Sequence, residues 1–383
     1  MIKSRQPKGE PNRKGISGKQ KSAIQIDNEI SPARKKILVA PLNWGLGHAT
    51  RCIPIIKSLL ENNFEPIIAS DGDALNLLKK EFPALTFVEM PSYKIKYSEK
   101  AKYFKLKMLW DSPKILKAMK KEHQQTKHLV KAYNLCGIIS DNRLGVYSKK
   151  VPCVFITHQL NVLTGNTTWV SSKVHQKIID RYNQCWVPDV EGEPNLSGKL
   201  GHLQCKNEKI KYIGALSRLE KKDTAKKYRL MVIISGPEPQ RTLLEKHLLV
   251  ETERFSGAVL FIKGKIEKEQ QVTQQKNTTI YNYMNSAQLE NAFNESELVL
   301  SRSGYTTVLD LAKLGKRAFF IPTPGQYEQE YLAERLQQEN LVPYCNQDEF
   351  AIEMLERTKN YKGLSEIASN FDISGFLSLF EGK

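Results

Sequence analysis

The 383-residue chain carries 58 Lys and Arg against 41 Asp and Glu, a formal charge of +17, and its length suffices for two domains plus an extension. No apolar run approaches the roughly 18 residues needed to cross a bilayer, no apolar signal core opens the chain, and six scattered cysteines without a CxxC pair indicate neither disulfides nor a metal centre. The basic balance points to nucleic acid, anionic lipid or phosphorylated substrates, and the lack of zinc-finger spacing, an RNA-binding signature or a basic zipper makes nucleic acid the least favoured.

Residues 1–33, rich in Lys, Arg, Gly, Ser and Gln, read as a disordered basic tail. Lys36–Asn43 is the first buried strand, and it runs into Trp44-Gly45-Leu46-Gly47-His48 and a helix over Ile53–Leu60. Strand, glycine turn and helix is an anion-binding arrangement, with Gly45 and Gly47 allowing a ligand close to the backbone. The spacing is not GxGxxG, so a nicotinamide or flavin is not expected. His48, at the helix start, is a candidate general base because its ordinary pKa lies near neutrality. Ser70-Asp71-Gly72-Asp73 follows the second strand, where Asp71 or Asp73 is expected to cap the helix Ala74–Lys80 rather than hold a metal.

Tyr93–Lys121 interleaves Lys102, Lys105 and Lys107 with Tyr103, Phe104, Leu106 and Trp110, a mixture suited to an anionic membrane surface. Ile138–Ser140 is the next strand and delivers Asp141 to the carboxyl edge of the sheet, where ligands of open α/β sheets collect. Cys153–Thr157 ends at His158-Gln159-Leu160-Asn161. Residues 191–209 have little periodicity and read as an interdomain linker, so that 34–190 and 210–366 form two domains. Gly214–Arg218 opens the second, and the strand Arg229–Ile234 ends at Ser235-Gly236-Pro237-Glu238-Pro239.

Leu298–Leu300, Ser301-Arg302-Ser303-Gly304, a helix stopping at Gly315 and the strand Ala318–Ile321 give one half of a doubly wound sheet. Ser303 and Gly304 precede a helix N-terminus, which favours an anionic group. Asp310 lies further along, where a carboxylate can accept from vicinal sugar hydroxyls. Gln326 and Gln329 add amides on the same edge. Residues 367–383 contain an apolar helix expected to pack back on the first domain.

SRSGxxTxxD…IPxPxxxxQ resembles the donor half of the family 28, MurG-like glycosyltransferases. The GLGH at 45–48 is similar to that family's first glycine-rich loop, and HQLN at 158–161 to its HEQN segment. The resemblance implies the two-domain GT-B fold. It implies Asp310 at the ribose, Gln329 and Asn161 at the donor sugar, Arg218 beside the nucleotide, and Ser303-Gly304 near the diphosphate. His158 becomes a reserve base. At 235–239 the family's GGSxGA is reduced to Gly236 among two prolines, which lack N–H donors.

The resulting expectation is an inverting glycosyltransferase with two Rossmann-like α/β domains facing across a cleft, using a UDP-sugar donor and neither metal nor cofactor. The acceptor would be lipid-linked or another glycan, and the enzyme would sit in the cytoplasm, peripheral on the inner membrane face. An epimerase of the same architecture and a non-catalytic nucleotide-sugar or RNA binder are the rival readings.

Overall fold

The computed structural model describes residues 34–93, 104–162, 168–265, 267–367 and 371–382. The tail assigned to residues 1–33 and part of the lysine-aromatic stretch, Lys94–Tyr103, lie outside the described residues. Two parallel-stranded α/β layers make up the remainder.

The first sheet contains β1 (Lys35–Pro41), β2 (Phe64–Ser70), β3 (Thr86–Glu89), β4 (Leu135–Asp141), β5 (Cys153–Ile156), β6 (Gln184–Val187) and β7 (Ile210–Tyr212), in the order β3-β2-β1-β4-β5-β6-β7. All its neighbours pair in parallel. The uninterrupted apolar run Ile37–Ala40 is fully buried, as expected of a central parallel strand covered on both faces. Helices α1 (Gly47–Glu61), α2 (Gly72–Glu81), α3 (Phe104–Ala132) and α4 (Thr168–Ile179) make its crossovers.

The second sheet contains β8 (Tyr228–Ile233), β9 (Val259–Ile262), β10 (Val272–Gln275), β11 (Thr278–Tyr281), β12 (Ser296–Ser301) and β13 (Arg317–Phe320), in the order β10-β11-β9-β8-β12-β13. Only β10 runs antiparallel. Its helices are α5 (Gln240–Thr252), α6 (Ser286–Asn294), α7 (Tyr305–Leu314) and α8 (Tyr327–Gln338). Asn285 and Gln288 close a reciprocal capping box on α6. α7 stops at Gly315, whose φ of 61° is the left-handed conformation that glycine adopts without a Cβ penalty.

The domain boundary differs from the sequence expectation. Ile210–Tyr212 pairs with β6 and completes the first sheet, so the chain crosses between domains after Tyr212. Residues 191–209 are not a loose linker either. The buried Asp189 carboxylate accepts from the backbone N–H of Leu196 (2.9 Å) and Ser197 (2.7 Å), which fixes the turn. The C-terminal segment returns to the first domain as a 3-10 turn, Ser374–Phe380, rather than an α-helix. There Phe376 and Phe380 lie 6.1 and 6.4 Å from the Trp186 ring.

One apolar cluster runs from α1 (Cys52, Ile53, Ile56) through Trp186 and Leu216 to α7 (Val308, Leu309, Ala312). The two domains therefore meet over a shared core beneath the cleft.

Candidate active site

α1 and α7 bring their N-terminal ends together. A Cβ added to Gly47, the first residue of α1, would lie 2.7 Å from the Thr306 hydroxyl at the start of α7. Gly45 (φ +75°) and Gly304 both face open space, so the two glycine loops leave room in front of two unsatisfied sets of backbone N–H groups. That is a place for a diphosphate.

His48 stands beside this space. Its Nδ1 is 3.0 Å from Asp141 Oδ1 and 2.8 Å from Arg51 Nη2. The Arg51 guanidinium, buried beneath it, donates through Nε to Asp141 Oδ2 (2.6 Å), through Nη2 to Asp141 Oδ1, and through Nη1 to His158 Nδ1 (3.0 Å). Arg51 thus has acceptors of its own in Asp141 and His158. A proton on His48 Nδ1, donated to Asp141, leaves a free lone pair on Nε2, and Arg51 Nη2 then donates to Asp141 rather than to the ring. The ring is 14% exposed, enough for an edge to meet substrate. Burial lowers its pKa, an effect that Asp141 opposes and Arg51 reinforces, so the neutral imidazole is the working form. Burial would raise the Asp141 carboxyl, but Arg51 and His48 hold it far below the ordinary carboxylate range.

His158 is placed differently. Its Nδ1 takes the Arg51 proton, its Nε2 lies 3.0 Å from Glu328 Oε1 at the start of α8, and its ring stacks on Tyr305 at 4.2 Å. Gln159 also donates to Glu328. With both nitrogens engaged, His158 ties the domains together and has no lone pair left for base catalysis.

Asp310 projects from the second turn of α7 toward Ser217, whose hydroxyl donates to Oδ1 at 2.6 Å. Burial pushes its pKa up to about 6, against the Ser217 hydrogen bond and the charge of Arg218. Arg218 donates to the Ser286 hydroxyl (2.8 Å), which in turn donates to Glu81 of the first domain (2.9 Å). Asp310 and Arg218 are therefore neighbours on the second domain's side of the cleft.

Several sequence candidates serve the frame. The Ser303 hydroxyl donates to the Gln329 carbonyl (2.7 Å), while the Gln329 side chain accepts from Thr323 N–H (2.9 Å) and donates to Gln326 (2.6 Å). The Asn161 amide donates to the carbonyls of Lys199 and His202 (2.7 and 3.0 Å) and fixes the 198–202 turn. Gly236 (φ +106°) lies by Thr323. The N-terminus of α5 behind it is already occupied, because Glu238 accepts from Thr242 N–H. This carboxylate takes an N–H that an anion would use, and the two prolines supply none.

Asp71 is the N-cap residue of α2 by position, but its carboxylate pairs with the buried Arg143 instead of capping. Arg143, donating also to Glu122 (2.7 Å), needs both anions because it is fully shielded from water. Arg51, Glu328 and Tyr305 were not singled out in the sequence. Arg51 carries a signal there, since it lies three residues after His48 and so on the same helical face. Glu328 and Tyr305 act across the domain contact and carry none. Among the described residues no group of three or more His, Cys, Asp and Glu is placed to hold a metal.

Residues 232–368 match the glycosyltransferase family 28 C-terminal domain. Residues 232–368 thus carry a family 28 glycosyltransferase C-terminal domain, and the chain as a whole is similar to MurG-like glycosyltransferases. A UDP-N-acetylglucosamine–N-acetylmuramyl-(pentapeptide) pyrophosphoryl-undecaprenol N-acetylglucosamine transferase from Glaesserella parasuis is 23% identical over 337 residues, covering 84% of this chain and 88% of the relative. The enzyme of the same description from a Sulfurihydrogenibium species is 25% identical over 34% of this chain, and that match spans only 37% of the relative. The crystal structure of Acinetobacter baumannii MurG superposes with a TM-score of 0.51 at 15% identity, over 87% of this chain and 93% of that one. That likeness concerns the GT-B fold.

Proposed function

We propose that the protein transfers a sugar, with inversion, from a UDP-sugar to a hydroxyl group of a lipid-linked acceptor. The observation that carries this reading is the meeting of the α1 and α7 N-termini at Gly47 and Thr306 beside the His48–Asp141 pair. Fixed N–H groups there stabilise the leaving diphosphate as its charge develops. His48 Nε2 takes the acceptor hydroxyl proton while the new bond to the anomeric carbon forms and the bond to the β-phosphate oxygen breaks. UDP departs with that electron pair, and Asp141 stabilises the imidazolium. Asp310 accepts from the ribose hydroxyls, and Arg218 lies beside the nucleotide. No step calls on a metal.

N-acetylglucosamine is the proposed donor sugar and a lipid diphosphate-linked sugar the proposed acceptor, both in line with the names of the relatives. Docking on an anionic membrane through Tyr93–Lys121 belongs to the same reading. In the described part of that stretch, Leu116 is 58% exposed beside exposed Lys117, Lys120 and Lys121. Tyr93 instead donates to the buried Glu122 and is a strut of the domain.

Incubation with UDP-N-acetylglucosamine and a membrane lipid extract, followed by product analysis, tests the proposal. Release of UDP together with a glycosylated lipid supports it. An isomerised nucleotide-sugar, or no turnover, would replace it with the epimerase or the binding protein. Sedimentation with vesicles containing anionic lipid, and its loss on changing Lys102, Lys105 and Lys107 to Glu, tests the docking separately.

A further inference from the structure

A second basic concavity lies at the other end of the first domain. α3 runs back against the strands, so its C-terminal half sits at the edge where β4 begins, opposite the edge that carries His48 and Asp141. Between that half-helix and the 147–150 stretch entering β5 is a cavity of about 780 Å³. Lys127 and Lys131, one turn apart on α3, form one wall, and Lys149 and Lys150 the other. All four are exposed, and no carboxylate-bearing residue lines the cavity. Among the described residues none of these lysines takes part in an ion pair. Glu122, the nearest acid along α3, is committed to Arg143, Tyr93 and the Gly145 N–H. The floor is aromatic: the Tyr147 ring stacks on His123 at 4.2 Å, with the Arg181 guanidinium 5.6 Å from its centre. Nδ1 of His123, shielded from water, has no hydrogen-bond partner.

Four ammonium groups held around one concavity without a counter-charge repel one another. An anion of matching charge entering the concavity relieves this repulsion. Four cations around one concavity match an anion of several charges, which linked or clustered phosphates supply. We propose that this cavity is a second anion site, outside the catalytic cleft, for a ligand carrying clustered phosphate groups. Such a ligand is a soluble polyphosphorylated molecule or the headgroup of a phosphorylated lipid.

Calorimetry on the full chain, saturated with UDP so that the cleft is filled and held at about 0.15 M salt to screen diffuse attraction, reads the site with inorganic pyrophosphate as probe. Pyrophosphate should still bind, and Lys127→Ala with Lys149→Ala should weaken it by about tenfold, the loss of two exposed ion pairs. Lys79→Ala on α2 should leave it unchanged, with circular dichroism confirming that each variant is folded. A parallel titration uses phosphatidylcholine vesicles with and without phosphatidic acid. Lysine-dependent binding of pyrophosphate assigns the soluble source, and lysine-dependent binding of phosphatidic acid vesicles alone assigns the lipid. Binding that UDP abolishes, binding insensitive to the double variant, or no binding of either probe overturns the proposal.

Discussion

Replacing His48 by Ala isolates the chemistry from the scaffold. The ring makes two contacts, to Asp141 and Arg51, and its removal leaves the Arg51–Asp141 pair closed through Nε and Oδ2 at 2.6 Å. The stability cost should therefore be that of one hydrogen bond, about 1 kcal/mol. The Asp310 side of the cleft shares no hydrogen bond with His48, so UDP affinity should be unchanged within a factor of about two. Turnover should fall by roughly 10²–10⁴, the usual worth of a positioned base, or about 2.7–5.4 kcal/mol of barrier. A pH signature goes with it. Burial holds the His48 pKa below its ordinary value of 6.5, and the base must be neutral. In the wild type kcat/KM should rise with pH through a value below 6.5 and then level off, while the variant lacks that limb. UDP release with the lipid acceptor, measured between pH 4.5 and 8 alongside calorimetry with UDP, gives both quantities. Near-normal turnover in the variant, or an unchanged acid limb, would refute the assignment of His48 as base.

Asp310→Ala should weaken UDP binding by about 1.5–3 kcal/mol, the value of hydrogen bonds to a charged acceptor. Because Asp310 titrates at about 6, wild-type affinity should drop more steeply below pH 6 than that of Asp310→Asn, and parallel profiles would remove it from the ribose. Asp141→Asn leaves the buried Arg51 charge without its main partner and should destabilise the fold by about 3–5 kcal/mol in urea unfolding. Adding Arg51→Met should recover part of that loss, and a mild single variant would contradict the buried pair. Gly47→Ala should push Thr306 away and lower kcat/KM, and Thr306→Ala in the same chain should restore it. Equal activity of Gly47→Ala and the wild type would show that the two helix ends are not held in register.

The sequence by itself determined the central strands, the glycine loops and the residues standing at the sheet edges. Buried parallel strands are continuous apolar runs, and helix starts and stops carry local signals such as the one at Gly315. His48, Asp141 and Asp310 could be singled out because position at a strand end or helix start is a local property. Tertiary structure decided what each polar group does. Ser303, Gln329 and Asn161 have the right chemistry for a ligand, yet packing supplies backbone partners that use their donors and acceptors. Asp71 looks like a cap until the fold buries Arg143 against it, and a buried guanidinium takes the nearest carboxylates. His158 becomes a domain tie only because Glu328 and Tyr305, 170 and 147 residues further along the chain, arrive on the other side. The assignment of Ile210–Tyr212 to the first sheet has the same origin. Three residues have too little pattern to declare a sheet, and only pairing with β6 places them.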